Sequence, residues 1–219
     1  MSMNNKQLRK ERKFEQYKLL IQARNFHYDN YNKWMTYFYV AMAAFFVGYY
    51  SLISSEEANN LNFEINALLS IGYITSLFWF IASKGYYYWN INFIKLINSF
   101  EKNVLKTKVN ERIYFVFANK KTENKPFDPI SGANFSTSKV AILFSYVITV
   151  FWGVLLLKKI VDCNEGIIYI LILIASGFTT LIMSLLLSKI LKSNIDYTPD
   201  LELDEYSNIK NINITKRKK

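Results

Sequence analysis

The stretch from Ile167 to Ser188 reads IIYILILIASGFTTLIMSLLLS and contains no charged residue. An α-helix rises about 1.5 Å per residue, so roughly 20 apolar residues cross a hydrocarbon core that is about 30 Å thick. Helices in soluble globular proteins are usually about 10–14 residues long and carry a polar face. The stretch is therefore predicted to be a transmembrane helix.

Three more uncharged apolar runs of similar length occur earlier in the chain. They extend over residues 34–54, 65–83 and 140–157. The whole chain is 51% hydrophobic and 20% charged, and these two values are compatible because the apolar residues are segregated into the runs. We predict an all-α polytopic membrane protein with four transmembrane helices and helical extensions on the cytoplasmic side.

Lysine and arginine are distributed very unequally among the segments that flank the runs. Of the 27 basic residues, all except Lys158 and Lys159 lie before residue 34, between residues 84 and 139, or after residue 188. The positive-inside rule places such segments in the cytoplasm. We expect a multi-pass protein of the cell inner (cytoplasmic) membrane with both termini cytoplasmic. Its predicted parts are an N-terminal helix (1–33), a transmembrane hairpin (34–83), a cytoplasmic helix and loop (84–139), a second hairpin (140–188) and a cytoplasmic tail (189–219).

The charge also indicates which partners to expect. The formal net charge is +10, and the predicted cytoplasmic segments carry nearly all of the basic residues. Each Lys or Arg near an anionic membrane surface contributes about 1 kcal/mol of attraction. The lipid bilayer is therefore the expected partner of the basic surface. Nucleic acid is the alternative, although the positive-inside bias alone accounts for the charge.

Two extramembrane segments have the pattern of an amphipathic helix. In the first, residues recur at intervals of three and four, which indicates a seam along one helix face: Phe14, Tyr17, Ile21, Arg24, Tyr28 and Tyr31. In the second, Trp89, Phe93, Leu96, Ile97, Phe100 and Val104 share a face, and Glu101 lies off it. We predict that the two helices pack together. The N-terminal helix packs either within its own chain or on a cytoplasmic helix of the same assembly, and the alternative for the second helix is to lie on the membrane surface. Residues of both helices are candidates for contact with a cytoplasmic partner, and His27 is one of these candidates.

The residue types that catalysis and metal binding require are sparse. His27 is the only histidine and Cys163 the only cysteine, and neither lies in a cluster with metal-ligand spacing or beside a glycine-rich phosphate loop. The four runs contain no ionisable Asp, Glu, Lys, Arg or His, whereas ion-coupled transporters usually carry such residues within the membrane. We expect no enzymatic activity, no cofactor and no metal.

Small residues repeat every fourth position in two of the runs. Ser176, Thr180 and Ser184 do so in the fourth run, and Ala44 and Gly48 in the first. Such stripes let transmembrane helices approach closely. One interpretation is packing within a single four-helix bundle. The other is an oligomer in which these residues face a neighbouring copy or line a narrow pore.

The N-terminal part of the chain resembles a bacterial membrane protein family. The string Phe14-Glu15-Gln16-Tyr17-Lys18-Leu19 lies in a basic, aromatic helix that leads into a span, a short loop, a second span and a long amphipathic helix. Over about residues 10–105 this order resembles SLATT and RipA-like proteins. The third and fourth runs depart from the two-span SLATT plan, and four spans with cytoplasmic termini resemble the accessory membrane proteins of type VI-B CRISPR loci.

These resemblances imply a role in bacterial defence. They imply a non-enzymatic inner-membrane effector or accessory protein that forms a homo-oligomer, acts against phage, and perturbs or permeabilises the membrane when its cytoplasmic helices are engaged. A cytoplasmic defence protein is then the partner to consider. The alternative is a membrane scaffold or regulator that anchors a cytoplasmic partner, or a small channel.

Overall fold

The computed structural model describes residues 5–56, 60–114, 125, 127–128, 130–133, 135–161 and 166–191. Its four long helices are α1 (Asn5–Ile53), α2 (Asn62–Phe100), α3 (Thr137–Val161) and α4 (Gly166–Leu191). A π-helical turn (Glu101–Leu105) and a 3₁₀ turn (Val109–Glu111) follow α2. No β-strand occurs in the described ranges. Each predicted run falls in a different helix, and all four helices are long and apolar enough to cross a membrane, which confirms the predicted fold class.

The chain divides into two compact units. Counting the described residues only, the first comprises those within 5–29 and 88–133, and the second comprises those within 30–87 and 135–191. All four apolar runs belong to the second unit. We call the second unit the transmembrane unit and the first the extramembrane unit.

Two tryptophans form the centre of the transmembrane unit. Trp152 is fully buried and lies against Gly72, where an added Cβ would come within 2.5 Å of the indole ring. The Trp79 indole N–H donates to Met35 Sδ at 2.9 Å, and the ring of Phe38 stacks on Trp79 with centroids 5.8 Å apart. Because lipid tails are as apolar as these side chains, close packing of this kind holds transmembrane helices together.

Helices α3 and α4 meet at a pair of small residues. Gly153 lies against Ser176, whose hydroxyl donates to the Val150 carbonyl at 2.8 Å. The Tyr146 hydroxyl donates to the Gly177 carbonyl at 3.3 Å, one residue further along α4. Each bond joins a side chain of one helix to the backbone of the other. The small residues therefore allow a close approach, and hydroxyl groups fix the register.

In the extramembrane unit, the first part of α1 packs on the last part of α2. Ile97 is fully buried. The rings of Tyr17 and Phe100 stack with centroids 6.1 Å apart, and those of His27 and Phe93 lie 5.4 Å apart. These contacts confirm the prediction that the N-terminal helix packs on the continuation of the second span.

Candidate functional site

A buried carboxylate joins three segments of the extramembrane unit. Glu101, the first residue of the π-helical turn, is 2% exposed. Its Oε1 accepts a hydrogen bond from the Tyr17 hydroxyl at 2.5 Å and another from the Ile113 backbone N–H at 3.0 Å. These bonds connect α1, the end of α2 and the segment after the 3₁₀ turn. We call Tyr17, Glu101 and Ile113 the Glu101 clip.

The expectation that Glu101 lies off the packed face is wrong. It follows the buried Ile97 by four residues, so it borders the apolar face, and the segment at Ile113 covers it. The wider i→i+5 bonding of the π turn also changes the register after Phe100. The turn is closed by Lys106, which has a φ of 56°, and the Thr107 N–H and hydroxyl both donate to the Glu101 carbonyl at 3.0 Å.

Two more polar side chains contribute to the electrostatics of the clip. Arg24 on α1 is half-buried, with its guanidinium 5.4 Å from the centre of the Tyr28 ring. Burial raises the pKa of Tyr17, and the hydrogen bond to Glu101 raises it further. Burial also raises the pKa of Tyr114. The charge of Arg24 lowers this pKa, and the charge of Glu101 raises it. Tyr17 therefore stays protonated at neutral pH and can act as the donor to the carboxylate.

Several buried polar atoms around the clip make no hydrogen bond in the described part of the chain. They are Glu101 Oε2, Arg24 Nε and Arg112 Nε. Leaving a buried donor or acceptor unsatisfied costs about 1–3 kcal/mol. None of the described residues form a group of three or more His, Cys, Asp or Glu that could hold a metal ion.

The predicted interaction residues lie on different sides of α1 and α2. Tyr17, Ile21, Arg24 and His27 are half-buried, as is Phe93 on α2. The remaining candidates are more open to solvent: Phe14 is 53% exposed, Tyr28 43% and Trp89 37%. Part of the predicted seam is therefore used within the chain. Contact of these residues with a cytoplasmic partner stays a prediction.

The hydroxyl stripe of α4 is buried inside the transmembrane unit. Ser176, Thr180 and Ser184 are each at most 3% exposed. Beyond the bond of Ser176 to α3, Thr180 Oγ1 lies 3.4 Å from the Tyr73 hydroxyl, and Lys84 Nζ donates to Ser184 Oγ at 3.4 Å. All three hydroxyls therefore contact another helix of the same chain, as the packing interpretation describes.

The small residues of α1 are placed differently. An added Cβ on Gly48 would lie 3.3 Å from a Leu68 methyl group of α2, so Gly48 also serves packing within the chain. Ala44 is exposed. The prediction that the two stripes face a neighbouring copy or line a pore stays a prediction.

Glu101 and Ile113 were not recognised as site residues from the sequence. The one available signal was the spacing of four between Ile97 and Glu101, which places the carboxylate beside an apolar position. Nothing local marks Ile113, because its role is a backbone N–H. Its segment, from Arg112 to Ala118, has an aromatic and β-branched composition that fits either a short strand or an extension of the helix. Residues 112–114 form a turn, and residues 115–118 lie outside the described ranges.

Four long apolar helices and a separate packed helical unit define the class of this molecule: a polytopic α-helical membrane protein with an extramembrane module. A family model described as the octameric membrane protein family (8xMP) matches residues 14–161, about two thirds of the chain. The chain belongs to this family. The match includes the Glu101 clip, α1 from Phe14 onwards, and all of α2 and α3. No curated protein and no solved structure matches the chain.

Proposed function

We propose that the chain assembles into a homo-octamer in the cell inner membrane. We further propose that the octamer is a non-enzymatic effector or accessory of bacterial anti-phage defence that perturbs or permeabilises the membrane. The family description supports an oligomer of eight copies, and the four apolar helices support insertion in a bilayer. The resemblance to SLATT, RipA-like and type VI-B accessory proteins supports the defence role.

One observation carries the membrane-permeabilising part of the proposal: among the described residues, most buried side-chain polar atoms of the transmembrane unit have hydrogen-bond partners, and Trp152 Nε1 is the exception. Ser145 and Thr149 donate to carbonyls of their own helix, and Ser176 donates to α3. Trp79 and Trp152 fill the centre of the unit. Such an interior favours a permeation path between copies over one through a single copy.

The extramembrane unit is proposed to receive the activating signal. It carries basic residues that the positive-inside rule assigns to the cytoplasm. The Glu101 clip joins three of its segments through one carboxylate, so a ligand or partner that separates Tyr17 from Glu101 would loosen all three together. That arrangement suits a unit whose conformational change is transmitted to the other copies of the oligomer.

The proposal is tested on the full-length protein in two steps. The mass of the particle in mild detergent is measured first, and eight chains of 25.8 kDa are expected. The protein is then reconstituted in vesicles of bacterial lipid that contain a self-quenching dye, with empty vesicles and vesicles bearing an unrelated four-helix membrane protein as controls. We expect dye release that rises with the protein-to-lipid ratio. A monomer in detergent that releases no dye at any ratio contradicts the proposal.

A further inference from the structure

Helix α1 carries a second apolar face in the extramembrane unit, away from the face that packs on α2. The packed face holds Tyr17, Leu20, Ile21, Arg24 and His27, all half-buried. The other face holds three large side chains that are well exposed: Leu8 at 46%, Leu19 at 62% and Phe26 at 73%. We call these three residues the outer stripe.

Helical geometry aligns the outer stripe along the helix axis. Leu8 and Phe26 are 18 residues apart, which is about five full turns at 3.6 residues per turn. Leu19 lies within about 20° of the same line. The stripe is therefore straight and about 27 Å long. The stripe lies on the side of α1 that points away from the packed face, so the contacts of α1 with α2 leave it uncovered.

The residues beside the outer stripe argue against a membrane surface as its cover. Helices that lie on anionic membranes usually have polar faces rich in Lys and Arg. Here Glu11, Glu15 and Gln22 border the stripe on one side, Arg12 borders it on the other, and Glu15 forms an ion pair with Lys18. The charges beside the stripe are therefore of both signs and give little net attraction to anionic headgroups. A protein surface is the better match for an apolar line with such a border.

We propose that the outer stripe is a contact surface between copies of this chain, an inference that rests on the octamer proposed above. Copies inserted in one orientation are related by an axis along the membrane normal, and eight of them form a closed ring. Each copy in such a ring uses two different surfaces, because the contacts are head-to-tail. The packed face of α1 is occupied within the chain, whereas the outer stripe is exposed along its whole length and can meet a neighbour.

The other segment of the extramembrane unit supplies a complementary surface. Val109 and Ile113 are 62% and 48% exposed, and Ile113 is itself a residue of the Glu101 clip. Both are apolar and lie on a different segment of the chain from the outer stripe. In the ring, the outer stripe of one copy packs on these two side chains of the next copy.

The test compares charged substitutions on and off the stripe in the full-length protein. Leu19→Glu combined with Phe26→Glu places two charges in the proposed interface. Phe14→Glu is the matched control, because Phe14 is also exposed but lies about 140° around the helix from Leu19. Particle masses are measured across a dilution series in mild detergent. We expect the double variant to dissociate at a concentration at least about tenfold higher than wild type, and the control within about twofold of it.

A second measurement decides the question if the double variant does not fold. A nitroxide label is attached at Phe26→Cys or at Phe14→Cys, each in a Cys163→Ser background. In the octamer we expect an immobilised spectrum at position 26 and a mobile one at position 14.

The outcomes separate this inference from the proposed function. A wild-type protein that is monomeric at every concentration contradicts the octamer itself. If the wild type is an intact octamer, either of two results overturns the outer stripe as the interface. One is a folded double variant that dissociates at the same concentration as wild type. The other is a Phe14→Glu variant that dissociates as readily as the double variant. A label at position 26 that is mobile in the octamer also overturns it. Immobilisation at position 26 that requires added vesicles or a soluble partner assigns the stripe to that partner instead.

Discussion

Glu101 is the residue on which the packing of the extramembrane unit depends most directly. Its single Oε1 accepts from both Tyr17 and Ile113 in a buried position. Glu101→Ala leaves both donors without an acceptor, and each unsatisfied group costs about 1–3 kcal/mol. Glu101→Gln keeps a carbonyl oxygen at the same place. We expect the midpoint of thermal unfolding in detergent to fall clearly in the alanine variant and less in the glutamine variant.

The bond between Tyr17 and Glu101 can be isolated with a double-mutant cycle. Tyr17→Phe removes only the hydroxyl, and a hydrogen bond to a charged group contributes about 1.5–3 kcal/mol, less where one partner is partly exposed. We expect a coupling above about 0.5 kcal/mol between Tyr17→Phe and Glu101→Ala. Effects that simply add would show that the bond does not stabilise the protein.

Glycines 72 and 153 are expected to be essential for the packing of the transmembrane unit. An added Cβ on Gly72 would press on the fully buried ring of Trp152, and one on Gly153 would press on Ser176. Overpacking of this kind costs about 1–3 kcal/mol. Gly85 has no other atom within 4 Å of a Cβ, so it is the control. Gly72→Ala and Gly153→Ala should lower the unfolding midpoint. Gly85→Ala should leave the midpoint unchanged or raise it, and equal losses in all three would refute the steric reason.

At the level of the element, the end of α2 depends on one residue with an unusual backbone. Lys106 has a φ of 56° in the left-handed region, where a Cβ costs roughly 1–2 kcal/mol. Lys106→Gly removes that strain but frees the unfolded chain, so we expect little change in the unfolding midpoint. Lys106→Val adds a branched side chain at the same position and should lower it. A tolerated valine would mean that the left-handed turn does not form.

The four helices were predictable from the sequence. The faces with which they pack on one another were only partly predictable. Uncharged runs near 20 residues are a local property, and each run fell in its own helix. The seam on α1 was predicted to include Phe14 and Tyr28, but both are exposed, and the half-buried set instead contains Leu20 and His27. Both sets of residues recur at helical intervals of three and four. Which set is buried depends on where α2 packs, and the sequence of α1 does not show this. The Glu101 clip joins residues 84 and 12 positions apart, so no local pattern could predict it.

At the level of the whole molecule, the two lysines that lie outside the predicted cytoplasmic segments have partners within the chain. Lys158 and Lys159 lie in the last turn of α3. Lys158 Nζ lies 5.3 Å from the centre of the Tyr169 ring, and Lys159 Nζ donates to the Asn62 side chain at 2.9 Å. Asn62 begins α2 and Tyr169 lies in the first turns of α4. Contacts at this end of three helices therefore give both cations partners within the chain.

The unequal distribution of Lys and Arg also yields a prediction about the orientation of the protein in the membrane. The positive-inside rule puts Cys163, between α3 and α4, outside the cell membrane and Asn110 inside it. A membrane-impermeant maleimide should label Cys163 in intact spheroplasts. A Cys163→Ser/Asn110→Cys variant should be labelled only after the membrane is permeabilised, and Cys163→Ser alone should never be labelled. Labelling of Asn110→Cys in intact spheroplasts, with Cys163 protected until lysis, would invert the topology and place the extramembrane unit with its Glu101 clip on the outer side.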